Sequence, residues 1–381
     1  MRIDQRIGRR GRLVTAIAVM AVTALALAGC ARDTGGGGTA QGECERVPPP
    51  SVPAESAQPE PEKPKADASA LKVGLAYDIG GRGDASFNDA AAAGLDRAVA
   101  ELGLQKANTR EATAQPGESE DAGTTRLRQL AEQGFDPVIA VGFNYATGVD
   151  TVAKEFPQTQ FAIVDDDTVD LPNVTPLVFA EEQGSFLVGA AAALTTGTCA
   201  IGFVGGVDSP LIQKFEAGYE QGATAVAPDI RINADYISPA GDFSGFNDAT
   251  RGTEIAAGQY DSGADISFAA AGQSNQGVFA AAQAAGTRAI GVDSDQYNSP
   301  QLTDVRDVIM TSMIKRVDVA VYDYVNAVAG NTVDALPERF DLRNDGVGYS
   351  TSGGFVDDIR PQLEAYKAAI MAGEIQVSST P

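Results

Sequence analysis

Residues 72–88, KVGLAYDIGGRGDASFN, decide the fold class that this sequence predicts. The first apolar run, VGLAY, is typical of a buried parallel strand, and three glycines then form a loop that can adopt positive φ angles. Ser86 is a favourable N-cap for the helix pattern that follows. Asp78, Phe87 and Asn88 should therefore lie at the carboxyl edge of a sheet, where open α/β sheets bind small ligands.

The same loop admits three other interpretations. A dinucleotide-binding fingerprint would need glycine or alanine where Ser86 stands, and the Gly-Lys-Ser/Thr of a phosphate-binding loop is missing. The tripeptide Arg82-Gly83-Asp84 is known from cell-adhesion sequences, but three residues also recur by chance. A strand–turn–helix unit without any ligand stays open from this loop alone.

The amino-terminal residues have the pattern of a bacterial lipoprotein signal. Five arginines precede an uncharged apolar run at 13–27, which is shorter than a typical membrane span. The run ends in Leu27-Ala28-Gly29-Cys30, which matches the lipobox, although an ordinary signal peptide with an accidental cysteine is the alternative. We therefore predict a signal peptide at 1–29 and a lipidated Cys30, which anchors the protein to the lipid bilayer on the extracytoplasmic face of the cell membrane.

The chain is strongly acidic. Its formal charge is −23, and removal of residues 1–29, which contain five arginines and Asp4, makes it −27. So acidic a body is repelled by phosphate backbones, and we expect no nucleic-acid partner. Otherwise the charge indicates only a solvated surface.

Residues 30–70 are predicted to form a disordered tether rich in glycine and proline. Their composition leaves the segment nothing to bury. Cys44 lies within it, and once Cys30 is lipidated the chain keeps one other thiol, Cys199. In an oxidising compartment these two either form a disulfide or stay unpaired, and the sequence leaves both alternatives open.

From residue 71 onward, strand and helix patterns alternate, which predicts parallel sheets flanked by helices. About 310 ordered residues exceed what one hydrophobic core normally fills, so we expect two lobes. Within 333–360 we expect an edge strand at 339–342 and a mobile loop at 346–354. The residues that follow the predicted strands should line a cleft between the sheets; they are Asp78, Gly142, Phe143, Asn144, Asp165, Gly205, Gly206, Ala271, Gly272, Asp293 and Ser312.

Several blocks, in order between about residues 71 and 330, resemble the basic membrane protein family of bacterial surface lipoproteins. The best understood members of that family are PnrA-like purine nucleoside receptors. The blocks are residues 72–88 with their D-x₈-F-N spacing, Gly184-Ser185-Phe186-Leu187-x-Gly189, Gly202-Phe203-Val204-Gly205-Gly206, Phe215-Glu216-Ala217-Gly218-Tyr219, Gly291-Val292-Asp293-Ser294-Asp295-Gln296 and Ser312-Met313-Ile314-Lys315-Arg316.

The resemblance implies an α/β, two-lobed fold of the type I periplasmic binding protein class, in which each lobe is a parallel sheet flanked by helices and the ligand lies in the interlobe cleft. We assign residues 71–178 plus 309–332 to the N-terminal lobe and residues 179–308 plus 333–378 to the C-terminal lobe. The resemblance further implies a solute-binding protein that hands purine nucleosides to an ABC importer, whose permease and ATPase are separate proteins.

The resemblance also assigns the contacts to the base. Phe87 and Phe246 would stack on its two faces, and Asp165 or Asn88 would meet its polar edge. A flat heterocycle gains about 1–3 kcal/mol from each aromatic face, and a chain without tryptophan must supply these faces from phenylalanine or tyrosine. Both phenylalanines could instead be core residues.

Asp293 and Lys315 would bind the ribose hydroxyls, because a carboxylate accepts two hydroxyl protons and a neighbouring ammonium keeps it charged. A hinge salt bridge is the alternative role for this pair. Gly272 would let the backbone approach the sugar, and Asp78 and Phe143 complete the predicted ligand-binding set.

An enzyme is the rival from another class, for example a nucleoside hydrolase with Asp165-Asp166-Asp167 as a calcium site. The chain contains no histidine, which removes histidine triads, general bases and metal ligands, and it has no Gly-x-Ser-x-Gly elbow. We therefore predict a protein that is not an enzyme and has no cofactor and no metal. Two alternatives stay open on the same fold: another cargo, such as riboflavin or a modified sugar, and a surface sensor or adhesin.

Overall fold

The computed structural model describes residues 44–51, 64–115 and 117–381. The predicted signal peptide at 1–29 and the predicted lipidation site at Cys30 lie outside the described residues. Among the residues described, no helix combines the length and the apolar composition needed to cross a membrane.

Eleven strands form two sheets in the described chain. The strands are β1 Val73–Tyr77, β2 Thr109–Thr113, β3 Val138–Val141, β4 Phe161–Val164, β5 Val174–Leu177, β6 Ala200–Val207, β7 Arg231–Ser238, β8 Ile266–Ala270, β9 Arg288–Asp293, β10 Ile309–Lys315 and β11 Val347–Tyr349. The first sheet is entirely parallel, with the order β2-β1-β3-β4-β5. The second has the order β11-β10-β9-β8-β6-β7, and only β11 is antiparallel.

Helices connect and cover these strands. They are α1 Phe87–Glu101, α2 Glu120–Glu132, α3 Ala146–Glu155, α4 Glu181–Thr195, α5 Pro210–Val226, α6 Ala249–Asp261, α7 Asn275–Ala285, α8 Val317–Gly330 and α9 Arg360–Ala372. Strands buried on both faces, such as β1, β3 and β4, are continuous apolar runs, as expected when helices cover both sides of a parallel sheet. This architecture confirms the α/β fold class predicted from the sequence.

Helices α4 and α5 pack closely because glycines replace side chains at their contact. A Cβ at Gly189 would lie 2.0 Å from the carbonyl oxygen of Tyr219, and a Cβ at Gly222 would lie 1.9 Å from that of Phe186. Neither position can hold a larger residue without moving the helices apart. The GSFLVG and FEAGYEQG motifs are therefore packing motifs, which fix the start of α4 beside the cleft.

Strand pairing corrects one boundary of the predicted lobes. Residues 309–332 were assigned to the N-terminal lobe, but β10 pairs with β9 and β11 in the second sheet. The chain returns to the first lobe only after Lys315, where α8 packs along α1. The remaining lobe boundaries stay a prediction.

The expectations for residues 333–360 are also corrected. The edge strand is β11, which lies inside the segment expected to be a mobile loop, and it pairs with Met313, Ile314 and Lys315. Phe340, in the segment expected to be the edge strand, forms only one bridge, with Phe179. The ring centres of Phe340 and Phe179 lie 5.2 Å apart in a stacked arrangement. This segment therefore contributes a buried aromatic contact and not a strand.

Two described parts of the predicted tether are fixed to the body, which corrects the expectation of disorder for those residues. Cys44 is bonded to Cys199, with Cα atoms 5.1 Å apart, and the Arg46 guanidinium donates to the carbonyl oxygens of Ala193 and Thr196 at 3.0 and 2.6 Å. These contacts lie in the second lobe, because α4 and β6 belong to it.

The other fixed part, residues 64–70, lies against the first lobe. Asn326 in α8 donates to the carbonyl oxygen of Pro64 at 3.0 Å and accepts from the backbone N–H of Ala66 at 2.8 Å. Ala68 is fully buried and donates to the carbonyl oxygen of Leu102. Backbone groups paired in this way are not free to behave as a flexible chain.

Candidate functional site

A cavity lies between the carboxyl ends of the two sheets. Its empty space is about 550 Å³ when the solvent at its mouth is included, and about 60 Å³ of it can hold the centre of a water molecule. All nine residues that sequence analysis assigned to a ligand line it: Asp78, Phe87, Asn88, Phe143, Asp165, Phe246, Gly272, Asp293 and Lys315. The walls also include Ile79, Asp84, Gly142, Leu211, Ile212, Phe215, Ala270 and Val292.

Asp78, directly after β1, starts the wall of the first lobe. Its carboxylate accepts hydrogen bonds from the Ile79 N–H at 2.6 Å and the Asn144 side-chain amide at 2.9 Å. Burial raises the pKa of Asp78 to about 7, although these bonds oppose the shift. Asp78 therefore changes between a hydrogen-bond acceptor and a donor near neutral pH.

Gly142 gives Asp78 and Asn144 the room to meet. Its φ is +116°, and a Cβ there would lie 2.9 Å from an Asp78 carboxylate oxygen and 3.0 Å from Asn144 Oδ1. Asn144 Oδ1 is buried and has no hydrogen-bond partner among the described residues. Asn144, which was expected to line the cleft but was not in the predicted ligand-binding set, does not line the cavity and instead supports Asp78.

The loop before α1 is organised by Asp84, not by Ser86. The Asp84 carboxylate accepts hydrogen bonds from the backbone N–H groups of Ser86, Asn88 and Asp89 at 2.8 to 3.0 Å. The Ser86 side chain makes no capping bond. Ser86 therefore occupies the N-cap position that the sequence predicts, but its side chain does not cap the helix. Burial raises the pKa of Asp84 to about 6.

The Ser86 hydroxyl instead points to the other lobe. It donates to Asp293 Oδ2 at 2.7 Å, and the Ser294 hydroxyl donates back to the Ser86 carbonyl oxygen at 3.0 Å. These bonds join the start of α1 to the end of β9. They fix the orientation of the Asp293 carboxylate from the opposite lobe.

Asp165 and Asp293 share an uncommon backbone conformation. Their φ angles are +71° and +63°, in the left-handed region, which few residues other than glycine occupy. Each stands where an apolar strand ends, Asp165 just after β4 and Asp293 at the end of β9. Such conformations concentrate at functional sites, and here they leave both carboxylates in the cavity wall.

Lys315 is the buried cation between these acids. Its side chain is 1% exposed, and its Nζ lies 2.6 Å from Asp165 Oδ2 and 3.3 Å from Glu181 Oε1. Burial alone would lower the pKa of Lys315, but the charges of Asp165, Glu181 and Asp293 raise it above its ordinary value. Lys315 is therefore a permanent cation. Burial raises the pKa values of Asp165 and Asp293 in turn.

Three aromatic rings surround the same ammonium. Lys315 Nζ lies 5.1 Å from the ring centres of Phe87 and Phe179 and 5.5 Å from that of Phe215. Ring faces attract a cation within about 6 Å. They also exclude water from it, which strengthens each ion pair in the cluster.

Phe87 and Phe246 approach the cavity from opposite lobes, the first at the start of α1 and the second in the turn Phe243–Asn247. Both rings are only partly buried. Gly206 in β6 makes room for Phe246, because a Cβ there would lie 2.5 Å from a ring carbon. Gly272, with φ +57°, lies against the backbone of Phe246.

A contact between aromatic rings also crosses the cleft. Phe143, from the turn after β3, meets Phe243 edge to face, with ring centres 5.6 Å apart. Phe143 lines the cavity and Phe243 does not. The contact therefore joins the lobes beside the ligand space, and Phe243 carried no sequence signal beyond its proximity to Phe246.

Among the described residues, only Cys44, Cys199 and Asp229 could together hold a metal ion by their spacing, and the disulfide uses both sulfur atoms. This group lies away from the residues that line the cavity.

Comparison with known proteins agrees with this arrangement. Residues 70–380 match the family model described as ABC transporter substrate-binding protein PnrA-like. The chain is 36% identical over 322 residues to the CD4+ T-cell-stimulating antigen of Listeria monocytogenes, covering 81% of this chain and 88% of that protein. It is 33% identical to the ABC transporter nucleoside-binding protein BmpA of Lactococcus lactis, over 81% and 89% of the two chains.

Among solved structures, an ABC transporter solute-binding protein from Aeropyrum pernix K1 superimposes with a TM-score of 0.68. It shares 27% sequence identity, and the match covers 81% of this chain and 93% of that one. The fold is thus that of type I periplasmic solute-binding proteins. The chain belongs to the PnrA-like family of ABC transporter substrate-binding proteins and is a binding protein, not an enzyme.

Proposed function

We propose that this protein binds purine nucleosides in the interlobe cavity and hands them to an ABC importer with a separate permease and ATPase. The observation that carries the proposal is one cavity in which an aromatic ring from each lobe, Phe87 and Phe246, accompanies a buried cluster of two carboxylates and one ammonium. This combination suits a ligand with a flat, apolar part and a polar part rich in hydroxyl groups.

The aromatic pair supports a heterocyclic base. Each stacked ring contributes about 1–3 kcal/mol to binding a base, and the two rings come from different lobes, so both stack only when the lobes are closed. Asp78 and Asn88 stand on the same side of the cavity as Phe87 and provide hydrogen-bonding groups for the edge of the base.

The polar cluster supports a ribose. Asp293 is oriented by Ser86, and Asp165 is oriented by Lys315, whose Nζ lies 2.6 Å from its carboxylate. A carboxylate has about four lone-pair sites, so both acids can also accept hydrogen bonds from the hydroxyl groups of a ligand. The Lactococcus lactis relative, an ABC transporter nucleoside-binding protein, agrees with this assignment.

The location follows from the amino-terminal signal. Lipidation of Cys30 would hold the binding protein at the extracytoplasmic face of the membrane, next to the permease. Mass spectrometry of the protein from membranes tests this step. A mature chain that begins at Cys30 with a diacylglyceryl adduct is expected, and an unmodified Cys30 would contradict it.

Calorimetric titration of the full chain in detergent tests the cargo. We expect one site for inosine, guanosine or adenosine, with weaker heats for cytidine and uridine, and none for ribose alone, because ribose lacks the stacking surface. If riboflavin or a sugar binds and no nucleoside gives heat, the cargo is that ligand and not a nucleoside. No heat with any of these ligands would contradict the proposal.

A further inference from the structure

Glu181, in the first turn of α4, is a buried acid that the proposed contacts do not use. Its side chain is fully buried, and Lys315 Nζ lies 3.3 Å and Lys214 Nζ 3.6 Å from its carboxylate. Neither carboxylate oxygen has a hydrogen-bond partner among the described residues. Glu181 does not line the cavity.

A carboxylate in such a place needs a physical reason. Removing a charge from water costs several kcal/mol, so a buried acid is retained only beside opposite charge. Glu181 has two ammonium groups, one on each side, and no other described polar contact. Its electrostatic partners are therefore the two lysines, and the buried one of them is the proposed ligand contact.

The four charged groups form a line across the lobes. Asp165 follows β4 of the first sheet, Lys315 ends β10 of the second, Glu181 begins α4, and Lys214 lies in α5 with its side chain 31% exposed. Signs alternate along the line, from the cavity wall to the surface. Each internal charge is thereby attracted from both sides.

The line determines where the Lys315 ammonium can donate. An ammonium has three N–H donors, and Asp165 takes one of them at 2.6 Å. We propose that Glu181 is a positioning residue, whose carboxylate 3.3 Å from Nζ attracts a second N–H and thereby holds the Lys315 ammonium with its remaining N–H directed at the hydroxyl groups of the ligand's sugar. This inference rests on the proposed function for the identity of that ligand.

The neighbouring residue supplies a matched control. Glu182 lies in the same turn of α4 and is 3% exposed, but its carboxylate pairs with Arg339 at 2.5 Å, away from the cavity. Glu181→Gln and Glu182→Gln each remove one buried charge from the same helix turn. Only the first removes a neighbour of Lys315.

Titration with two ligands separates positioning from loss of structure. For inosine, we expect Glu181→Gln to weaken binding about tenfold, and for 2′,3′-dideoxyinosine less than about twofold, because an analogue without the hydroxyls does not use the Lys315 contact. Glu182→Gln should change both affinities by less than about twofold. Equal losses for the two ligands, or equal effects of the two substitutions, would overturn the inference.

A double-mutant cycle with Lys315→Met tests whether Glu181 acts through that lysine. If it does, adding Glu181→Gln to Lys315→Met should weaken inosine binding by less than about twofold further, since coupled residues are not additive. If the two substitutions instead weaken inosine binding by factors that multiply in the double mutant, Glu181 does not act through Lys315. If Glu181→Gln does not fold, Glu181→Asp keeps the charge, shortens the side chain, and should show a smaller loss confined to inosine.

A ligand-free measurement distinguishes failure of this inference from failure of the proposed function. In protein labelled with ¹⁵N at lysine side chains, Lys315→Met identifies the Lys315 ammonium signal, which should exchange its protons slowly because it is buried and paired. Glu181→Gln should accelerate that exchange and Glu182→Gln should not. If wild-type protein binds no nucleoside but exchange responds this way, only the cargo is wrong; if inosine binds and exchange does not respond, only this inference is wrong.

Discussion

Replacing Lys315 with methionine should destabilise the ligand-free protein in a way that depends on pH. Methionine fills nearly the same space as lysine without the charge. In the native structure, the ammonium lies 2.6 Å from Asp165 and 3.3 Å from Glu181, and the three side chains are at most 4% exposed. Its removal leaves carboxylates buried without their cation.

The magnitude follows from this burial. Removing one partner of a buried ion pair costs about 3–5 kcal/mol, because the remaining charge is desolvated and unpaired. The unfolding entropy of about 2.1 cal/mol/K per residue, over roughly 325 described residues, converts a 4 kcal/mol loss into a fall in Tm of about 6 °C. We expect this loss at pH 8, where the carboxylates are charged.

At low pH the loss should shrink. Burial already raises the pKa of Asp165 above its ordinary value, and removing Lys315 raises it further, so the native state binds a proton that the unfolded state releases. Stability then falls as pH rises between the unfolded and the folded pKa. At pH 5 the neutral acid loses little more than a hydrogen bond, so we expect a difference from wild type of only about 1–2 kcal/mol.

Urea unfolding followed by circular dichroism at pH 5 and pH 8 measures both values. The control is Lys154→Met, which breaks an exposed ion pair with Asp150 in α3, at 2.7 Å, with both side chains about half exposed; its effect should stay within about 0.5 kcal/mol at either pH. If Lys315→Met costs no more than Lys154→Met at pH 8, or costs the same at both pH values, the cluster is not the buried, charge-balanced unit described here.

Three further predictions address the base, the disulfide and Asp78. Phe246→Leu should weaken inosine binding roughly 5- to 150-fold by calorimetry, equivalent to the loss of about 1–3 kcal/mol of stacking, whereas Phe355→Leu, in a half-buried loop outside the cavity, should leave it unchanged; equal effects would refute the stacking role. Replacing both Cys44 and Cys199 by serine should lower the free energy of unfolding by about 2–5 kcal/mol, because the bond closes a loop across 155 residues, and a urea midpoint equal to that of wild type would contradict this. Asp78→Asn should remove a stability gain of about 2–3 kcal/mol that wild type owes to this group when pH falls from 8 to 5, for a pKa raised to about 7. Parallel Tm–pH curves for the two proteins would exclude it.

The sequence predicted structure correctly where a residue type has one common structural role. Apolar runs followed by a carboxylate or glycine predicted the strand ends that line the cavity, because a chain that leaves a buried parallel strand exposes its next side chains at the sheet edge. Strand β2 was missed because its sequence, TREAT, is polar and only partly buried. An edge strand needs no continuous apolar run, so it leaves little pattern to detect.

Contacts between distant segments were beyond the sequence. Ser86 is the N-cap residue that the sequence predicted, but its hydroxyl bonds to Asp293, 207 residues away. Glu181 is absent from the sequence-based assignments, and only the packing of α4 against β10 and α5 makes it the buried neighbour of two lysines. Two remaining thiols limited the disulfide to Cys44 and Cys199, but the 5.1 Å between their Cα atoms is a property of the fold.

The sequence by itself therefore determined the alternation of strands and helices, the family, and the identity of the nine predicted cavity residues. These properties depend on local patterns and short motifs, which a linear chain displays. The tertiary structure decided which charges are buried together, which lobe β10 joins, and where the amino-terminal segment is fixed. Those depend on distances between residues far apart in the chain, and the energy of a charge depends on the burial that only the folded molecule creates.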